Sequence, residues 1–247
     1  MSKEQAILRM PQLDPSLSQV WHLLFELSEA QPDSWCLVGG LMVMLHGLES
    51  GRSDTRPTAD GDVLVDIRVR PAALREIIAF LRQHDLEPEL APDDIQHRFT
   101  RKTGYGELKV DVLAPDHVGS RADLTTTPPG RTVEVPGGTQ ALSRSERIQV
   151  EVDGRIGVIP RPDILGAILV KLEATSLPGD PARHYQDLAF LLTILSQPVQ
   201  ARSALKSKER SKLRACPMNN CDHPTWRLLT DNDANQGYAA LQLLSAP

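Results

Sequence analysis

A glycine pair set between two apolar runs, followed by two aspartates at alternate positions of a β-rich run, does most to limit what this 247-residue chain can become. Trp35 to Val38 has the composition of a short buried strand. Gly39-Gly40 is the place where the backbone can turn sharply, and Leu41 to Leu48 resumes the apolar pattern as a buried helix. A helix therefore starts at a glycine turn. The unpaired N–H groups and positive dipole end at such a start suit it to holding a phosphate without side-chain help.

Asp60-Gly61-Asp62 leads into Val63-Leu64-Val65-Asp66-Ile67-Arg68-Val69. Strand side chains alternate, so Val63, Val65, Ile67 and Val69 are expected to face a core while Asp60 and Asp62 project together on the other side. Two neighbouring carboxylates repel unless a cation or a shared proton sits between them. Oxygen-only ligands favour Mg²⁺ or Mn²⁺ over zinc.

The ordered series Val38-Gly39-Gly40, His46-Gly47 and Arg56-x-Thr58-x-Asp60-x-Asp62 resembles the nucleotidyltransferase superfamily of the DNA polymerase β type, and within it the AbiEii/AbiGii-like toxin group. The likeness is strongest over residues 35 to 70. It implies an α/β (α+β) fold in which a polymerase-β-like domain with a mixed sheet precedes a mostly helical C-terminal region. It also implies a metal-dependent enzyme that moves a nucleoside monophosphate from an NTP to an acceptor hydroxyl. The acceptor by this likeness is RNA, notably a tRNA 3′ end in a toxin–antitoxin setting with a cognate antitoxin protein; a protein hydroxyl or an aminoglycoside-type small molecule is the alternative. A non-catalytic relative that binds nucleotide or a partner protein is the competing class. Gly61, where the family often has a β-branched residue, and a long segment between Gly47 and Arg56 are departures that such a relative would show.

Farther along, Ser16 to Ala30 and Ala72 to His84 carry apolar residues at helical spacing. Glu107 to Leu113 alternates as a strand with Asp111 opposite Leu108, Val110 and Val112. If that strand lies beside the one bearing Asp60 and Asp62, the resemblance makes Asp111 a third metal-binding carboxylate and a candidate acceptor of the hydroxyl proton. Residues 121 to 160, rich in Thr, Pro and Gly, read as extra strands (Thr132–Val135, Ile148–Val152, Ile156–Ile159) at a junction. Helices are expected over Asp163–Thr175 and Pro181–Leu195. The division is thus a core over 1–120, a junction over 121–160 and a helical region over 161–247.

The resemblance assigns catalytic and metal-binding roles to Asp60, Asp62 and Asp111, with Mg²⁺ or Mn²⁺ as cofactor and an NTP as substrate. Gly39 and Gly40 would hold phosphates on backbone amides, and Arg56 and Thr58 would brace the carboxylate loop or touch substrate. Lys171 would neutralise triphosphate charge, with snorkelling from the helix surface as the plainer alternative. Asp187 would orient Lys171 or the nucleotide, or would pair with Arg183 one turn away. His46 reads as a satisfied core histidine.

A formal charge of −5 and a pI near 5.8 exclude a protein that coats nucleic acid by bulk charge. A local patch is the remaining route to RNA, and Arg202, Lys206, Arg210 and Arg214, at intervals of four, form the largest basic stripe. Cys216, Cys221 and His223 lack the spacing and the fourth ligand of a zinc knuckle. Three cysteines make no secreted disulfide framework. Met1 to Pro15 lacks the apolar stretch of an export signal and Cys36 to Leu45 is too short to span a bilayer, so a cytoplasmic protein is expected.

Overall fold

The computed structural model describes residues 7–89, 91 and 94–246; the stretch read above as lacking an export signal lies partly outside them, at residues 1–6. The elements run in the order β1 (Leu8–Arg9), α1 (Pro15–Ala30), β2 (Trp35–Val38), α2 (Gly39–Glu49), β3 (Asp60–Val65), α3 (Ala73–Gln83), β4 (Glu87–Pro88), β5 (Arg98–Thr103) and β6 (Gly106–Pro115). There follow β7 (Glu134–Val135), α4 (Gly138–Ser143), β8 (Ser145–Val152), β9 (Arg155–Pro162), α5 (Ile164–Ala174), α6 (Ala182–Thr193), α7 (Pro198–Ser203), α8 (Ser207–Ala215) and α9 (Asp231–Ser245). The fold is mixed α/β, as expected.

The main sheet has the order β2-β3-β6-β5-β4, with β7 added alongside the end of β6. Its pairings are mixed. β3 and β6 run parallel, whereas β2–β3, β5–β6 and β4–β5 are antiparallel. A second sheet, β1-β8-β9, is built mostly from the long β8–β9 hairpin. Helix α1 is clamped between the sheets. Asp14 caps its first turn through Ser16 N, and Val20, Trp21, Leu24, Phe25 and Leu27 are wholly buried. Each such side chain stabilises the fold by about 1.5–3 kcal/mol relative to exposure.

The packing of α1 also explains Gly61. A Cβ there would lie 3.2 Å from Val20 Cγ1 and 3.6 Å from Leu24, so the small residue admits the helix against β3. The long segment after Gly47 is explained as well. Arg52 reaches α9, donating to both oxygens of Asp233 at 2.9 and 3.0 Å, and lies 5.2 Å from the Phe190 ring centroid on α6.

Three expectations need correction. β3 ends at Val65, and Val69 is 78% exposed, because Asp66 accepts from Val69 N at 3.2 Å and bends the chain into a turn. Of Thr132–Val135, only Glu134 and Val135 form a strand; Thr132 instead donates its hydroxyl to Val112 O. The basic stripe does not ride one helix. Leu205 turns inward, separating Arg202 on α7 from Arg210 and Arg214 on α8, with Lys206 at the intervening cap.

Candidate active site

The glycine turn and the carboxylates are locked together. Val38 pairs with Asp62 across β2–β3, and Gly39 follows with φ of +69°, a conformation that suits glycine. A Cβ on Gly39 would sit 1.7 Å from Asp62 Oδ2, so only glycine leaves room for that carboxylate. Thr58 fills the equivalent space over Gly40, where a Cβ would meet its Oγ1 at 2.6 Å. Thr58 therefore braces the turn. Helix α2 has no side-chain cap and no acidic residue in its first turn.

Strand register puts the third carboxylate in line. Asp62 stands opposite Asp111 in the parallel β3–β6 ladder, and Asp111 stands opposite Arg98 in the antiparallel β5–β6 ladder. One row across three strands thus reads Asp62, Asp111, Arg98. The Arg98 guanidinium donates to both oxygens of the buried Asp111, Nε to Oδ1 and Nη2 to Oδ2, each at 2.8 Å. Nη2 also reaches Asp60 Oδ2 at 3.2 Å. Burial first, then the charges of Asp111 and Asp60, push the Asp62 carboxyl up to about 7; Lys171 and Arg183 pull it the other way. Among the described residues, no three His, Cys, Asp or Glu side chains converge as a ready metal cage. The donor chemistry, three carboxylates of which one is left crowded by like charge, fits a hard divalent cation; the present contacts of Asp111 are with Arg98.

Basic side chains share a cleft with these carboxylates. The cleft, of about 370 Å³, is lined by Gly39, Asp62 and Asp111 together with Lys171 from α5 and Arg183 and His184 from α6. Lys171 does not snorkel. It is 4% exposed and donates to Asp187 at 2.7 Å. Asp187 pairs with Lys171 rather than with Arg183, and its other oxygen lies 3.5 Å from Arg56 Nε. Burial, and then the cations Lys171 and Arg183, lower His184 to about 4, so it is neutral near pH 7. A second cavity of about 380 Å³ is lined by Arg56, Asp187, Phe190 and Leu229. The ion pair thus joins a residue lining one cavity to a residue lining the other.

His46 is the core histidine expected: it is buried and its Nε2 donates to Pro162 O at 3.1 Å. Of the basic stripe, Arg202 and Arg214 donate to Ala246 O and Arg214 also to Ser245 O, while Arg210 donates to Ser207 Oγ. The backbone N of Lys206 donates to Glu209. The contacts of Arg202 and Arg214 tie α7 and α8 to the end of α9. Cys216 is buried and Cys221 exposed, and both are free thiols.

Arg98 and the pair Arg183–His184 were not singled out from the sequence as site residues. For Arg98 a signal existed: in a hairpin turning at Gly104-Tyr105, residues equally far from the turn face each other. Arg98 is five before Thr103 and Asp111 five after Gly106.

No protein-family model matches the sequence, and no curated protein matches it. Two solved structures are similar in outline. An antigenic nucleotidyltransferase-like protein from Paracoccidioides brasiliensis aligns with a TM-score of 0.47 and 16% identity, over 81% of this chain and 95% of that one. The antibiotic-resistance factor ANT(2'')-Ia aligns with a TM-score of 0.42 and 16% identity, over 85% of this chain and 100% of that one. At that distance, neither similarity bears on activity or substrate. No helix among the described residues is long and apolar enough to cross a membrane.

Proposed function

We propose that the protein is a nucleotidyltransferase that moves a nucleoside monophosphate from an NTP to an acceptor hydroxyl. The observation that carries the reading is a single cleft lined by Gly39 at the start of α2, by the carboxylates Asp62 and Asp111 and by the cations Lys171 and Arg183. In this reading the triphosphate lies in that cleft, with its outer phosphates at the Gly39-Gly40 turn and its charge offset by Lys171 and Arg183. Asp60, Asp62 and Asp111 would hold Mg²⁺ or Mn²⁺, which when bound would offset charge on the attacking and leaving oxygens. The acceptor oxygen forms a bond to the α-phosphorus, the bond from that phosphorus to the bridging oxygen breaks, and the electron pair departs on pyrophosphate. The hydroxyl proton passes to Asp111, once Arg98 has released an oxygen to receive it. Arg56 and Asp187 hold Lys171 in place from behind.

The family likeness extends the proposal to an RNA 3′ end as acceptor and a cognate antitoxin as partner. The competing reading, a protein that binds nucleotide without turning it over, is favoured by one observation: Arg98 already occupies Asp111 and touches Asp60.

The test is incubation with each labelled NTP, Mg²⁺ or Mn²⁺, and total tRNA or lysate, followed by sizing of the labelled product. Asp60→Asn and Asp62→Asn should each reduce transfer by at least about 100-fold while leaving the fold intact, since each removes a charged oxygen without changing shape. Metal-dependent NTP binding without any labelled product would establish the competing reading instead. A wild-type rate in either variant would remove these carboxylates from the mechanism.

A further inference from the structure

The three-strand row contains a cation of its own. Asp111 is the most enclosed of the three carboxylates, with a side chain 9% exposed, and both its oxygens accept from one planar guanidinium at 2.8 Å. The hairpin register makes Arg98 and Asp111 direct neighbours, so this contact is built into the sheet rather than made by a loose surface side chain. The same guanidinium spans to Asp60 at 3.2 Å, touching two of the three groups that would receive a divalent ion. Lys171, the buried cation that lines the cleft, is already matched by Asp187, so Arg98 is the cation that compensates Asp111.

We infer that Arg98 is a resident counter-ion that competes with a divalent metal for Asp111, so that the site binds metal weakly until the guanidinium moves aside. The fork takes one lone pair on each carboxylate oxygen and fixes the orientation of the group, so an incoming metal has only the remaining lone pairs, beside a fixed positive charge. A second positive charge arriving there is also repelled by the first. In the usual arrangement of such carboxylates like charge invites the metal; here the strand next door has partly cancelled that invitation. The inference takes from the proposed function only that these carboxylates receive a divalent ion. It does not require that any nucleotide be transferred.

The test is Mn²⁺ binding to the full chain without nucleotide, followed by the loss of the free-ion paramagnetic resonance signal. Arg98→Gln should bind Mn²⁺ at least about tenfold more tightly than wild type, because the amide vacates the fork and carries no charge. Asp111→Asn added to Arg98→Gln should abolish the gain, which places it at that carboxylate. Arg98→Lys, which keeps the charge but cannot form the fork, should give a severalfold gain, and it serves as the reporting variant if Arg98→Gln does not fold by circular dichroism. Equal or weaker Mn²⁺ binding in the folded variant would overturn the inference, as would a gain that survives Asp111→Asn. Transfer without a gain in Mn²⁺ binding would sink this inference alone; a gain without transfer would sink only the proposed function.

Discussion

His46 shows how a single side chain ties helix α2 to the rest of the fold. Burial, and then the nearby Arg161 cation, hold its imidazole down to about 3, so it is neutral in the folded protein, with Nε2–H donated to Pro162 O. The unfolded chain protonates it near its ordinary value of 6.5. Below that pH the unfolded state binds the extra proton, so this residue's contribution to stability falls as pH drops from about 6.5 towards 3. The loss should reach on the order of 3 kcal/mol at pH 4. Chemical denaturation of wild type and His46→Gln across that range checks it: the variant should have a flatter slope of stability against pH, and parallel slopes would place the acid sensitivity elsewhere. The glycine at 39 is a residue-scale constraint of another kind, since the Asp62 carboxylate uses the volume a side chain would need.

Between elements, the decisive contact is the buried Lys171–Asp187 pair joining α5 to α6. Both side chains are almost wholly enclosed, so removing Lys171 leaves the buried Asp187 with only the longer contact to Arg56 at 3.5 Å. Lys171→Met should cost about 3–5 kcal/mol, a fall in Tm of roughly 6–20 °C for a chain of this size. Lys171→Met combined with Asp187→Leu should recover most of that loss while leaving NTP binding weak. Thermal melts of the two single variants and the double variant decide it, and additive losses would show that the two charges act independently. The main elements around this pair were legible in the sequence. Apolar residues at Leu165, Ile168, Leu169 and Leu172 mark α5, and alternation marks β6, because burial imposes those periods directly. Asp62 and Asp111 could be brought together by the family likeness alone. Arg98 was harder to find, because its place depends on register counted from a turn in a neighbouring strand rather than on its own surroundings. The basic residues at intervals of four do not share one helix, because spacing in a sequence carries no notice that Leu205 will turn inward between α7 and α8.

At the scale of the whole molecule, the segment after α2 meets the last helix of the chain. Arg52 follows α2, and its bonds to Asp233 and its place over Phe190 hold the segment leading to Asp60 against α9 and α6. Asp233→Asn should cost about 1–2 kcal/mol and raise backbone hydrogen exchange across residues 50–58 ahead of the rest of the sheet. Exchange confined to α9 would show that the segment is held by something else. The staple has a practical meaning for anyone trimming or tagging this protein. A deletion that removed α9 would appear, on a linear map, to spare every carboxylate. It would nevertheless release the tether on the segment before Asp60, so a shortened chain would keep all three carboxylates and lose the contact that fixes the approach to them.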